Sequence, residues 1–145
     1  MIEVLGVLAY EPAQKQLEGL LTGSYAREAI EALRRIDPEH HVDRLVRLAL
    51  NKGVGISARE EALVELAQVG GAAVARRLLP LLEETTAIPG IFGDGEWAVC
   101  DQAAQTIASV LGWEDSLSRF DETKERKKLI AKIRQWAKEE ARTRK

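Results

Sequence analysis

The sequence carries a helix-pair pattern that recurs along the chain, and residues 57–84 contain its most complete copy. Two apolar stripes at helical spacing flank the Gly70-Gly71 pair, and each stripe has polar residues on its other side. A lone helical hairpin cannot bury both stripes, so the pattern requires neighbouring helices. The first stripe consists of Ala62, Leu63, Leu66 and Val69, and the second of Val74, Leu78, Leu79, Leu81 and Leu82.

Local signals predict where this helix pair begins and turns. Ser57 precedes Glu60 by three residues, which is the spacing of a capping box and predicts that Ser57 is the N-cap. Gly70-Gly71 predicts that the first helix ends in left-handed backbone. Arg59 falls off the apolar stripe, on the polar side of the predicted helix.

The pattern aligns with itself at three offsets. A shift of 33 residues places Leu66 on Leu33, and a further shift of 28 places Leu45 on Leu17. A forward shift of 41 carries Leu66 to Ile107. The sequence therefore predicts four repeat units. They cover about residues 2–22, 24–52, 57–84 and 94–112.

The repeat units share a period, a hinge and a small residue in the first helix. The small residue is Ala29, Ala62 or Ala103, and the hinge is Gly or Asp-Pro. Over about residues 2–112 this pattern resembles HEAT repeats, most closely the short bacterial variety related to the repeats of phycobilin lyases. The resemblance implies an all-α protein, an α-solenoid of HEAT-like hairpins with about seven or eight helices, usually devoted to binding other proteins. It is specific for fold and says little about function.

Residues 85–97, TTAIPGIFGDGEW, insert eight residues between the third and fourth units. Two interpretations of the apolar residues in this loop remain open: they fold back as a plug, or they contact a partner. Phe92, Asp94 and Trp97 are the candidate contact residues. Asp94-Gly95-Glu96 supplies too few ligands for a calcium loop, and Asp94 is instead predicted to be the N-cap of the next helix.

The fourth unit lacks a second helix of the repeat pattern, and a basic amphipathic helix is predicted at about residues 122–142 in its place. Its polar outer side is typical of a helix that closes a solenoid. Residues 124–145 carry ten Lys or Arg and three Glu, whereas residues 1–123 carry eleven Lys or Arg and twenty Asp or Glu. An acidic body of net charge −9 thus precedes a tail of net charge +7. The apolar stripe of this helix consists of Leu129, Ile130, Ile133, Trp136 and Ala137.

Few residues suggest catalytic or metal chemistry. His40 and His41 are the only histidines, and adjacent helical positions face different directions, so we expect surface histidines that do not share a metal. Cys100 lies on an apolar stripe and is predicted to be a small core residue. No Gly-rich loop has the lysine of a phosphate-binding motif, and no apolar pocket is identifiable. We therefore expect no enzyme, no metal and no cofactor.

Four arginines in the second helices of the repeats are the candidate binding residues of the predicted concave face. Arg44 and Arg77 coincide under the shift of 33, and Arg47 and Arg76 lie beside them. Arginine binds carboxylates and phosphates alike. The favoured interpretation is an adaptor or regulatory scaffold that binds another protein through this face and the 85–97 loop. The less favoured alternative is a nucleic-acid-binding protein that uses these arginines and the basic C-terminal helix, because the acidic body argues against it.

The remaining expectations concern organisation and location. The chain is predicted to form one domain over residues 1–145, and the apolar residues near its start predict an end that a partner, a second copy or a longer chain covers. No stretch has the roughly 18 consecutive apolar residues of a membrane span. The start has no signal-peptide pattern, so we expect a cytoplasmic protein without membrane contact.

Overall fold

The computed structural model describes residues 11–90, 97–114, 117 and 123–144, and these residues are all-helical. They divide between Glu65 and Leu66 into two compact units. None of the helices in the described ranges has the length and low charge needed to cross a membrane. The α-helices are α1 (Glu11–Leu20), α2 (Ala26–Ile36), α3 (His41–Leu50), α4 (Ile56–Val69), α5 (Ala72–Leu78), α6 (Val99–Val110) and α7 (Thr123–Thr143), and a 3-10 helix covers Leu79–Glu83.

The first unit is built from α1, α2, α3 and the N-terminal part of α4. Its helices bury the apolar positions that the repeat pattern aligns, because these recur at the helical period. Leu17, Leu33 and Leu45 are each 1% exposed or less. The predicted first helix of the first repeat unit lies outside the described residues. The main core residues of this unit are Ala13, Leu17, Leu21, Ala29, Leu33, Leu45, Val46, Ala49, Ala62 and Leu63.

The N-terminal end of α4 differs from the prediction. The helix begins at Ile56, so Ser57 lies inside its first turn and the predicted N-cap position is wrong. Arg59 is also not solvent-facing. Its side chain is buried, and its Nε donates a hydrogen bond to the carbonyl oxygen of Ala49 at 2.9 Å. Since the last carbonyls of a helix lack partners within it, Arg59 satisfies one at the end of α3.

Gly70 is required for close packing in the second unit. A Cβ atom at this position would lie 2.7 Å from the carbonyl oxygen of Leu66 and 2.8 Å from Cγ1 of Val110. The predicted left-handed backbone is wrong, because Gly112 is the positive-φ glycine among the described residues and Gly71 has an extended φ of −134°. The end of α4 therefore approaches α6 at a distance that only glycine allows.

The predicted second helix of residues 57–84 is divided in two. It is α-helical in Ala72–Leu78 and then tightens to a 3-10 helix at Leu79–Glu83. Pro80 lacks the N–H that would donate to the carbonyl four residues earlier, so the α-helical pattern cannot continue through it. Leu78, Leu81 and Leu82 are nevertheless buried, which confirms most of the second apolar stripe.

The described residues at the two ends of the 85–97 loop pair with each other through their backbones. Ala87 and Ala98 form an isolated antiparallel β-bridge. The N–H of Ile88 donates to the carbonyl oxygen of Trp97 at 2.7 Å, and the N–H of Val99 donates to the carbonyl oxygen of Thr86 at 3.0 Å. Together these contacts close the base of the 85–97 loop.

Helices α6 and α7 supply most of the remaining core of the second unit. Cys100 is buried on the stripe of α6, as predicted. On α7 the predicted stripe is confirmed at Leu129, Ile130 and Ile133, which are buried, while Trp136 and Ala137 are half-buried. The core of this unit also contains Leu66, Val74, Leu78, Ile88, Val99, Ala103, Ala104 and Ile107.

Candidate binding surfaces

Arg44, the first of the predicted contact arginines, is buried in the first unit and is only 8% exposed. Its Nη2 donates to Oδ2 of Asp37 at 3.0 Å, and its Nε lies 3.5 Å from Oε1 of Glu18. Hydrogen bonds from His40 and then from Arg44 lower the pKa of Asp37. These contacts correct the expectation of a solvent-facing Arg44, because an arginine enclosed by two carboxylates has little surface left for a partner.

The other three arginines keep more of their surface. Arg47 is exposed and pairs with Asp43 one turn earlier on α3 at 3.2 Å. Arg76 is half-buried and pairs with Glu140 of α7 at 3.2 Å. Arg77 is exposed on α5. Arg44 and Arg47 belong to the first unit, and Arg76 and Arg77 belong to the second.

The 85–97 loop is described only at its two ends, and Phe92 and Asp94 lie outside the described residues. Trp97 is 5% exposed, and its Nε1 donates to Oε1 of Gln102 at 3.1 Å. This burial agrees with the plug interpretation for Trp97. The predicted N-cap role of Asp94 is wrong, because α6 begins at Val99 with Ala98 before it.

A buried ion pair connects α6 and α7. Nη1 of Arg126 donates to Oδ2 of Asp101 at 2.8 Å, and both residues are 5% exposed. The same oxygen accepts the N–H of Ala98 at 3.0 Å, so Asp101 also satisfies a free donor at the start of α6. The Arg126 guanidinium lies 6.0 Å from the centroid of the Trp97 ring, and its Nη2 donates to Oγ1 of Thr123 at 3.1 Å.

Sequence analysis missed this pair because charged residues were assigned to the outside of each helix. A signal was nevertheless present. Arg126 stands three and four residues before Leu129 and Ile130, so it extends the apolar stripe of α7 by one turn. A charged residue in line with such a stripe indicates a buried partner, since an unpaired charge is costly to bury.

The buried pair lines a cleft of about 730 Å³ in the second unit, between α6, α7 and the segment that contains the 3-10 helix. This volume is in the range of small-molecule sites, roughly 300–1,000 Å³. Burial raises the pKa of the Cys100 thiol, and the charge of Asp101 adds to the shift, so the thiol stays protonated. The apolar wall of the cleft consists of Leu82, Ala98, Cys100 and Ile130.

The solvent side of α7 carries two pairs of cations on one face, separated by Ala131 and Gln135. Lys128, Lys138 and Arg142 stand 4, 14 and 18 residues after Lys124, so the four side chains lie on one face of a helix with 3.6 residues per turn. All four are exposed. Lys128 pairs with Glu125 at 2.8 Å, whereas the others have no ion pair within the described part of the chain. This cationic face consists of Lys124, Lys128, Lys138 and Arg142.

The two histidines have different environments. His40 is exposed and lies 2.8 Å from Oδ1 of Asp37. His41 is 4% exposed, which corrects the expectation of two surface histidines. Its Nε2 lies 3.5 Å from Oε1 of Glu65, and burial lowers its pKa. Among the described residues, no group of three or more His, Cys, Asp or Glu is arranged to hold a metal ion.

Comparisons with known proteins give no further guide to the class of protein. No family model matches the sequence, no curated protein matches it, and no solved structure matches the fold. The functional argument therefore depends on the surfaces described above.

Proposed function

We propose that the chain is a non-enzymatic protein-binding module, an adaptor or scaffold built from HEAT-like helical hairpins, that binds an acidic protein segment. The observation that carries this proposal is the cationic face of α7, defined by Lys124, Lys128, Lys138 and Arg142. Charge complementarity of this kind favours both the rate and the specificity of association.

The construction of α7 supports a role in binding. The side of the helix opposite the cationic face is buried through Leu129, Ile130 and Ile133, and the Asp101–Arg126 pair holds its first turn. The four cations span about 27 Å at a rise of 1.5 Å per residue. Because the helix is already formed and packed, a partner does not have to order it, which reduces the entropy lost on binding.

The spacing of the cations fits carboxylates on a second helix. Lys124 and Lys128 are one turn apart, as are Lys138 and Arg142. An acidic helix with Glu at positions i and i+4 presents charges at the same interval. We therefore propose an acidic amphipathic helix as the partner segment.

Nucleic acid is the second candidate, because the same cations can neutralise phosphates. Four phosphate contacts would give a salt dependence with a logarithmic slope of about −3.6 on duplex DNA. The net charge of −9 on residues 1–123 argues against it, since a broad polyanion would meet repulsion beyond α7, whereas a narrow acidic helix would contact α7 alone.

Fluorescence anisotropy can test the proposal with a labelled helical peptide that carries Glu at i and i+4, its Glu-to-Gln counterpart and a random duplex. We expect the wild type to bind the acidic peptide more tightly than the Gln peptide or the duplex. The double variant Lys124→Glu/Lys138→Glu should bind the acidic peptide at least about tenfold more weakly than the wild type does, which corresponds to about 1.4 kcal/mol.

The matched controls are Arg47→Glu and Arg77→Glu, which reverse the charge at the two exposed arginines of the sequence-based prediction. They are expected to leave peptide affinity within about twofold of the wild type. Equal binding of the Gln peptide, or equal loss in the controls, would contradict the assignment to α7. Tighter binding of the duplex with the salt slope given above would favour the nucleic-acid alternative.

A further inference from the structure

We propose that the cleft between α6 and α7 binds a small amphipathic monocarboxylate, a ligand with one carboxylate and a short apolar body. This site is independent of the cationic face of α7. The described residues of the cleft combine an apolar wall, one cation in excess and a hydroxyl group that remains able to donate.

Among the described residues that line the cleft, all the charges but one are paired. Arg126 is held by Asp101 at 2.8 Å, and Arg134 by Glu83 at 2.6 Å. Lys127 also lines the cleft and is exposed, and it has no ion pair within the described ranges. The described part of the lining therefore carries one net positive charge, which suits one carboxylate rather than a dianion or a neutral ligand.

The hydroxyl of Thr123 is suited to contact the same carboxylate. Its oxygen accepts a hydrogen bond from Nη2 of Arg126 at 3.1 Å, which directs the O–H proton elsewhere, and Thr123 lines the cleft. Thr123 and Lys127 are four residues apart on α7, so their side chains lie on the same side of the helix. They form a two-point contact for a carboxylate.

The apolar wall would receive the rest of the ligand. Leu82, Ala98, Cys100 and Ile130 are buried residues that line the cleft. Burial of a ligand chain against such a wall stabilises the complex by roughly 25 cal/mol per Å² of apolar surface. The buried Asp101–Arg126 pair lies beside the apolar wall and makes that side of the cleft polar. The apolar body of the ligand therefore fits in one orientation, with its carboxylate toward α7.

Decanoate is the probe, and 1-decanol is its uncharged counterpart. Isothermal titration calorimetry should detect one saturable site for decanoate. The affinity for 1-decanol should be at least about fivefold weaker, because 1-decanol lacks one partly exposed charge interaction of about 1 kcal/mol. Amide shift changes in a ¹H–¹⁵N spectrum should map to Cys100, Asp101 and Ile130.

Lys127→Ala should weaken the binding of decanoate by about fivefold. Lys52→Ala removes the same charge from an exposed position in the first unit, outside both proposed sites, and should change this affinity by less than about twofold. Three outcomes would overturn the proposal: no saturation up to about 5 mM decanoate, equal affinity for decanoate and 1-decanol, or equal effects of the two substitutions. The comparison of the two probes on the wild type decides the question even if a variant fails to fold.

Discussion

The buried Asp101–Arg126 pair gives the most direct test of how the second unit is held together. Replacing Arg126 with Met keeps the length of the side chain and removes its charge. Asp101, 5% exposed, would then keep the N–H of Ala98 as a hydrogen-bond donor but lose its counter-charge. We expect Arg126→Met to lower the free energy of unfolding by about 3–5 kcal/mol, as for other broken buried pairs.

The magnitude follows from the geometry. At 2.8 Å and an effective dielectric constant of about 20, the attraction between the two charges is roughly 6 kcal/mol. Burial of each ion costs several kcal/mol, so the intact pair is close to balanced, and the loss of one member leaves the burial cost of the other. The double variant Asp101→Asn/Arg126→Met has no uncompensated charge and should be at least about 2 kcal/mol more stable than the sum of the single variants indicates.

Tryptophan fluorescence during urea unfolding is the appropriate assay, because Trp97, Trp113 and Trp136 all lie in the second unit. Arg134→Met is the control: its pair with Glu83 is 2.6 Å long but exposed, so its loss should cost less than about 1 kcal/mol. A loss below about 1 kcal/mol for Arg126→Met, or strict additivity in the double variant, would refute the reasoning.

Three further predictions concern the helix junctions. Gly70→Ala should lower the free energy of unfolding in urea by about 1–3 kcal/mol, because its Cβ has no space. Gly71→Ala has no atom within 4 Å of its Cβ and should cost at most about 1 kcal/mol, the loss of a glycine N-cap on α5. Similar losses in the two variants would contradict the packing role of Gly70. Arg59→Met should cost about 1–3 kcal/mol, since it leaves a helix-end carbonyl unsatisfied, and circular dichroism melting would show no shift if water replaced the side chain. Because the pKa of His41 is lowered in the folded state, the unfolded chain binds a proton at this histidine more readily than the folded chain does. The stability that neutral His41 contributes is therefore fully present above about pH 6.5. It falls as the pH drops below that value, by at most about 1.4 kcal/mol per pH unit. Unfolding at pH 7.5 and 5.5 should show this loss in the wild type and in His40→Gln but not in His41→Gln, and an unchanged loss in His41→Gln would assign it to another group.

The positions of the helices could be predicted from the sequence because hydrophobic periodicity reports which face is buried. Leu33, Leu45 and Ile107 were aligned by simple offsets, and all three are almost fully buried. Gly70 was also recognised as special, but for the wrong reason. A single sequence does not distinguish a glycine needed for left-handed backbone from one needed for close approach, because the second depends on an atom of Val110 that is distant in sequence.

The candidate sites were less predictable, because burial of polar groups depends on partners from other helices. Arg44 was assigned to a binding face by its position in the repeat, yet Asp37 and Glu18 enclose it. Arg126 was not singled out, although it continues an apolar stripe. Periodicity reports the side of a helix, and it does not report whether a carboxylate from another helix meets that side.

The β-bridge between Ala87 and Ala98 has a consequence for how this chain can change over evolution and in the laboratory. It joins the two ends of the loop directly, so the residues between Ile88 and Trp97 can vary in number without moving the ends of the flanking helices. Lengthening a loop costs little, about 0.6 kcal/mol per doubling. We therefore expect relatives of this chain to differ in length mainly at this position, and a short peptide tag placed there to be accepted where the same insertion within a helix would prevent folding.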